Sequence, residues 1–205
     1  MLKYKYRDTI SISIDNTVLE GELMIPFNSN SIVIFPHGSG NSRFSLLNKI
    51  IAKELHMQGI STFHFDLLTK EEDNLMANRI NIDLLSERLI FTTYYISLHD
   101  ECRDLRIGYF GNGNGAASVI HAAVSLPDLV NAIVLCSSQL ELTIDLADKV
   151  KAPTLLIVGE KDTEMIDLNK KFYTLLACEK LIDILVIRIR QGNVCSLVTV
   201  ELIKG

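Results

Sequence analysis

Ile107-Gly108-Tyr109-Phe110-Gly111-Asn112-Gly113-Asn114-Gly115-Ala116-Ala117 runs from a largely apolar segment, through alternating glycines, into small helix-compatible residues. Leu105 to Phe110 predicts a buried strand, Gly111 to Gly115 a tight turn, and Gly115 to Leu126 a helix whose small side chains let it lie close to a sheet. A strand that turns sharply into a helix is half of a crossover between parallel strands.

The same unit recurs outward in both directions. Upstream, Ser31-Ile32-Val33-Ile34-Phe35 is a continuous apolar run of the buried parallel type, closed by Pro36 and the turn His37-Gly38-Ser39-Gly40. Leu46, Leu47, Ile50, Ile51 and Leu55 follow at helical spacing until Gly59. Ile60 to Phe65 predicts another strand, Leu67 to Asn81 a loop or short polar segment, and Ile82 to Leu98 a helix with Ile82, Leu85, Leu89 and Ile96 on one face. Downstream, strands are predicted at Val130 to Leu135, Thr154 to Val158 and Ile182 to Ile189, with a helix from Met165 to Leu176. Val194 to Ile203 favours strand locally, but topology favours a last helix. The chain opens differently: Thr9 to Ile14 and Val18 to Ile25 alternate with period two around Asp15-Asn16, which predicts an antiparallel hairpin of two edge strands. Together these segments predict an α/β class: one domain over residues 1–205, with a mostly parallel sheet of about seven to eight strands and helices on both faces.

Composition narrows the function. With 205 residues, 48% apolar and 22% charged, the chain can bury a sizeable core. The net charge of −5 and scattered basic residues leave no footprint for a nucleic-acid backbone. Met1 to Arg7 lacks the apolar core of a signal peptide and no run reaches the ~18 apolar residues of a membrane span, so a cytoplasmic protein is expected. Cys102, Cys136, Cys178 and Cys195 contain no C-x-x-C pair, which suits reduced structural thiols, and neither a metal nor a cofactor is expected.

Four segments in order carry a family likeness: Phe35-Pro36-His37-Gly38-Ser39-Gly40, Phe65-Asp66-Leu67-Leu68, Gly108-Tyr109-Phe110-Gly111 with Gly115-Ala116-Ala117, and Ala152-Pro153-Thr154-Leu155-Leu156-Ile157-Val158-Gly159-Glu160-Lys161-Asp162. The chain resembles an α/β-hydrolase of the small, dienelactone-hydrolase-like branch, without a large cap domain. That resemblance implies a three-layer fold and a Ser or Cys nucleophile at the strand-turn-helix elbow, an Asp after the Thr154 to Val158 strand, and a His after the last strand. Gly113 stands at the nucleophile position, Asp162 matches the acid, and Gln191 lies near the expected place of the histidine. An amide is no base near neutral pH, and all five histidines precede Asp162, so two of three roles are empty. The resemblance also implies an oxyanion hole from backbone N–H groups near Gly38 and Ser39 and from Asn114.

Other residues stand as substitutes. His37 is either a shaper of the oxyanion turn or a base, Ser39 a turn residue or a displaced nucleophile, and Cys136 a structural thiol or an alternative nucleophile beside Ser137 and Ser138. Asn112 and Asn114 fit turn chemistry or ligand contact, and Asp162 a helix cap or a triad acid. Gly-Asn-Gly-Asn-Gly fits neither G-x-G-x-x-G nor the P-loop spacing, which argues against nucleotide binding. Glycine also relieves the strain an elbow imposes on any residue with a side chain. The expected function is therefore a catalytically degenerate hydrolase fold that binds a small-molecule ligand in the vestigial pocket or a partner, including a second copy as a homodimer. The alternatives are an ester, lactone or thioester hydrolase with unorthodox residues, and a binding module acting through a dimer surface.

Overall fold

A computed structural model describes residues 2–38, 45–113 and 115–185. Its eight strands are β1 Tyr4–Ile14, β2 Thr17–Pro26, β3 Ser31–His37, β4 Ser61–Asp66, β5 Arg106–Asn112, β6 Val130–Cys136, β7 Thr154–Gly159 and β8 Lys180–Leu185. They form one sheet in the order β1-β2-β4-β3-β5-β6-β7-β8. β2 runs antiparallel to both β1 and β4, and every later pairing is parallel.

The strand runs read as apolar are the ones buried from both sides. Ile32 and Ile34 of β3, Tyr109 of β5, Ile133 and Leu135 of β6 and Leu156 of β7 face one core, with Leu85 and Leu89, Val119 and Ile120, and Phe172 packed on it. Val33, Phe35, Phe110, Val134, Leu155 and Ile157 face the other, under Ile51 and Leu55. Helices are α1 Leu46–Met57, α2 Lys70–Asp73, α3 Met76–Arg79, α4 Ile82–Leu98, α5 Gly115–Ser125 and α6 Thr163–Leu175, so α1 covers one face and α4, α5 and α6 the opposite one. Side chains start them: Ser45 accepts from Asn48 N–H, Asn81 from Leu84 N–H and Asp162 from Met165 N–H. Gly59, at φ +75°, follows α1 as its stop.

One expectation needs correcting, and two stretches gain short helices. Only β1 of the opening hairpin is an edge strand, because β2 pairs on its far side with β4, Gly21 to Met24 against Thr62 to Phe65. The polar segment after β4 contains two one-turn helices, of which α2 is set by a reciprocal Thr69–Glu72 capping box. Glu141–Lys149 is a 3-10 helix over buried Thr143 and Ala147. Residues 186–189 of the last expected strand and the tail at 194–203 lie outside the described residues.

Candidate functional site

β3, β4, β5 and β6 end in step along the carboxyl edge of the sheet. Register places His37 opposite Asp66 and Asn112 opposite Cys136. In α/β sheets that edge is where ligands bind. Gly113 follows β5 directly with φ +55°, in the left-handed region that side chains avoid. A Cβ built on it would have no heavy atom within 4 Å, so the space above the turn is open. Its carbonyl accepts from Ala116 N–H at 3.2 Å, and α5 begins at Gly115, which puts the positive end of a helix dipole beside it.

Gly115 draws the turn against the loop after β3. A Cβ there would sit 2.9 Å from the Pro36 carbonyl oxygen and 3.7 Å from Gly38 N, so the backbones touch because neither carries a side chain at the contact. Gly38 and the Gly113 turn are thus neighbours. Ser39, Asn114 and Gln191 lie outside the described residues.

His37 lies against α1. It is buried, with Nδ1 3.3 Å from Asn48 Nδ2 and Nε2 3.3 Å from His64 Nδ1. Its ring stacks on that of His64 at 5.5 Å and 9°, and Phe35 stacks on His64 at 4.2 Å. Both nitrogens are occupied in an internal polar chain, which builds a wall under the loop. Burial holds the His64 pKa well below that of a free imidazole, with His37 and His56 adding to the effect, so His64 is neutral. The sequence reading missed His64, whose one signal was an imidazole inside the apolar run Thr62-Phe63-His64-Phe65.

Cys136 is half-buried at the end of β6. Next to it Ser137 is exposed and holds φ +46°, its N–H bonded to Ile157 O at 2.8 Å, while Ser138 Oγ donates to Cys136 O at 3.3 Å. Asp162 is exposed, and its Oδ1 accepts from Met165 N–H at 3.1 Å as the cap of α6. Cys102 is a core thiol, its pKa pushed up to about 12 by burial. Among the described residues no three His, Cys, Asp or Glu side chains are grouped to hold a metal, and no helix is long and apolar enough to cross a membrane.

Known proteins share this architecture. A dienelactone hydrolase from Anabaena variabilis superposes with a TM-score of 0.83 and 35% identity, covering 88% of this chain and 85% of that one. Est1E from Butyrivibrio proteoclasticus superposes at 0.71 with 16% identity over 85% of this chain and 88% of that one, a likeness of fold alone. In sequence, two Mycobacterium tuberculosis proteins provisionally described as phosphoribosyl transferases are 40% identical over 151 residues, 74% of this chain. The matched segment is about a third of those relatives' length, 34%. No family model matches the sequence.

Proposed function

This chain belongs to the dienelactone hydrolase family of α/β-hydrolases, and from that membership we propose a member whose hydrolytic centre has lost its nucleophile and whose fold serves binding. One observation carries the reading: Gly113 keeps the left-handed backbone of the elbow, with open space above it, and offers no atom to attack an acyl carbon. The frame around it, with Gly38 against Gly115 and the start of α5, supports retention of a pocket for a small-molecule ligand. Asp162 as an α6 cap supports the same reading, since a cap needs no imidazole to orient.

A partner is the other half of the proposal. The outer face of α4 exposes Phe91, Tyr94 and Leu98 at helical spacing, which supports association through that face, with a second copy as the first candidate. The phosphoribosyl transferase description of the longer relatives supports a fold of this kind working beside such an enzyme. Sedimentation of the purified chain tests the homodimer, and a monomer at all concentrations removes it.

Catalysis is tested with p-nitrophenyl acetate, an enol lactone and an acyl thioester, followed by intact-mass analysis. Rates at the level of buffer and no covalent adduct are expected. The second reading, hydrolysis through Cys136, is favoured by its register position opposite Asn112. An acyl adduct mapped to Cys136, with turnover lost on Cys136→Ala, would establish that reading in place of the first, and an adduct on Ser39 or His37 would overturn both.

A further inference from the structure

β1 leaves one edge of the sheet open. Among the described residues no strand pairs with its outer side, and its 11 residues make it about twice as long as an ordinary strand. Building on the homodimer reading above, we propose that this edge pairs antiparallel with β1 of a second copy through Ile10-Ser11-Ile12-Ser13-Ile14. A two-fold axis at Ile12 would then join two sheets into one, beside the α4 face.

Backbone phase decides which groups the edge offers. Asp15 and Asn16 form a two-residue turn between Ile14 and Thr17, which stand opposite each other in register. The residues flanking such a turn bond to each other through their backbones, and the phase alternates along antiparallel strands. Ile10, Ile12 and Ile14 therefore bond inward to β2, whereas Thr9, Ser11 and Ser13 turn their N–H and C=O groups outward. Thr9 agrees with this phase, because its N–H is taken by Asp8 Oδ1 at 2.8 Å.

The side chains select the occupant. Ile-Ser-Ile-Ser-Ile reads the same in both directions, so antiparallel pairing about Ile12 sets every residue opposite its own type. Ile12 meets Ile12, Ile10 meets Ile14, and Ser11 meets Ser13. Opposed residues share a face of the sheet, so the isoleucines of both copies meet on the side where Ile10 and Ile12 pack with Leu85, Leu89 and Ile96 of α4. The exposed serines meet on the other side, and they are the outward-bonding residues in both copies. No Lys, Arg or Pro interrupts residues 10–14, and the one register irregularity of the hairpin lies between Tyr4 and Tyr6. Edges that stay single are blunted by such devices. Here the exposed Asp8 and Asp15 bound the stretch from either end, which confines pairing to the residues between them. The same axis brings the two α4 helices, with their exposed Phe91, Tyr94 and Leu98, to one side of the joined sheet.

Sedimentation of the full chain across concentrations, with residue-resolved amide exchange at both ends of that range, tests the pairing. A dimer is expected in which the Ser11 and Ser13 amides exchange about tenfold or more slowly than in the monomer. The inward amides of Ile10 and Ile12 should be protected in both states. Ser11→Pro removes a donor that β2 does not use and should weaken the dimer about tenfold or more, whereas Ser11→Thr keeps the N–H and should leave it intact. Should Ser11→Pro disrupt β1, exchange in the unaltered protein still decides. A dimer that Tyr94→Glu dissolves, but whose Ser11 and Ser13 amides exchange as freely as in the monomer, would overturn strand pairing and leave the α4 contact standing. A monomer at all concentrations would remove strand pairing and homodimer together. Protection of both serine amides already in the monomer would show the edge covered within one chain and would overturn the pairing as well.

Discussion

At the scale of single residues, Gly113 and Gly115 make opposite demands on a side chain. Gly113 has room but the wrong backbone, with φ +55° and nothing within 4 Å of a built Cβ. Gly113→Ser is expected to fold at a cost of about 1–2 kcal/mol, lowering Tm by about 3–6 °C. It should leave ester hydrolysis at background, because a hydroxyl without a base stays protonated and no histidine occurs between Asp162 and Gly205. Calorimetric melting and a p-nitrophenyl acetate assay check both halves; turnover matching an intact hydrolase would reveal a base elsewhere. At Gly115 the clash is with the Pro36 carbonyl at 2.9 Å, backbone against backbone, which cannot swing aside as a side chain can. Gly115→Ala should therefore cost about 1–3 kcal/mol, read as a lower urea midpoint, while separating α5 from the loop that carries Gly38.

At the scale of elements, Asp162 separates a structural role from a catalytic one. As the N-cap of α6 it should lose about 1 kcal/mol on Asp162→Ala and little on Asp162→Asn, since both amide and carboxylate oxygens accept from Met165 N–H. Urea denaturation of the two variants gives the answer: equal losses would mean that the charge, not the cap, matters. Most elements were legible because their burial leaves a pattern within a few residues. β3 reads as a parallel strand since both its faces are covered, and α4 matches its expected span, Ile82–Leu98, with Leu85, Leu89 and Ile96 buried. What was hidden depends on neighbours distant in the chain. Nothing local in Val18 to Ile25 says that β4 will pair on its far edge, and nothing in His37 says that Asn48 and His64 will close on its two nitrogens. The elbow was legible as a turn because glycine spacing is a local signal; the polar wall behind it was not.

At the scale of the whole molecule, acid should unfold this protein in two stages with separate causes. His56 and His64 are neutral in the fold but take up protons near pH 6.5 once unfolded, so the stability tied to them is complete above that pH and is lost as pH falls. For His56 the loss continues to about pH 4, its folded value. Glu72 has the opposite chemistry and the same sign. Its carboxylate accepts from Arg88 Nη1 at 2.7 Å and Nη2 at 2.6 Å, and the buried guanidinium also donates to Leu67 O at 2.7 Å, tying α2 and the end of β4 to α4. Chiefly through the Arg88 hydrogen bonds, its pKa falls to about 2 from the ordinary 4.5, so its contribution is present above pH 4.5 and drains away between there and about 2. Melting temperature followed by circular dichroism from pH 7 to 2 should show both descents. His56→Gln, whose amide can still bridge Tyr4 and Thr62, should shallow the upper one and leave the lower intact. Glu72→Gln should flatten the lower descent while reducing Tm already at pH 7, because Arg88 then keeps a buried charge without its counter-ion. A single descent centred near pH 4 that neither variant alters would show that the exposed carboxylates set the acid limit of the fold.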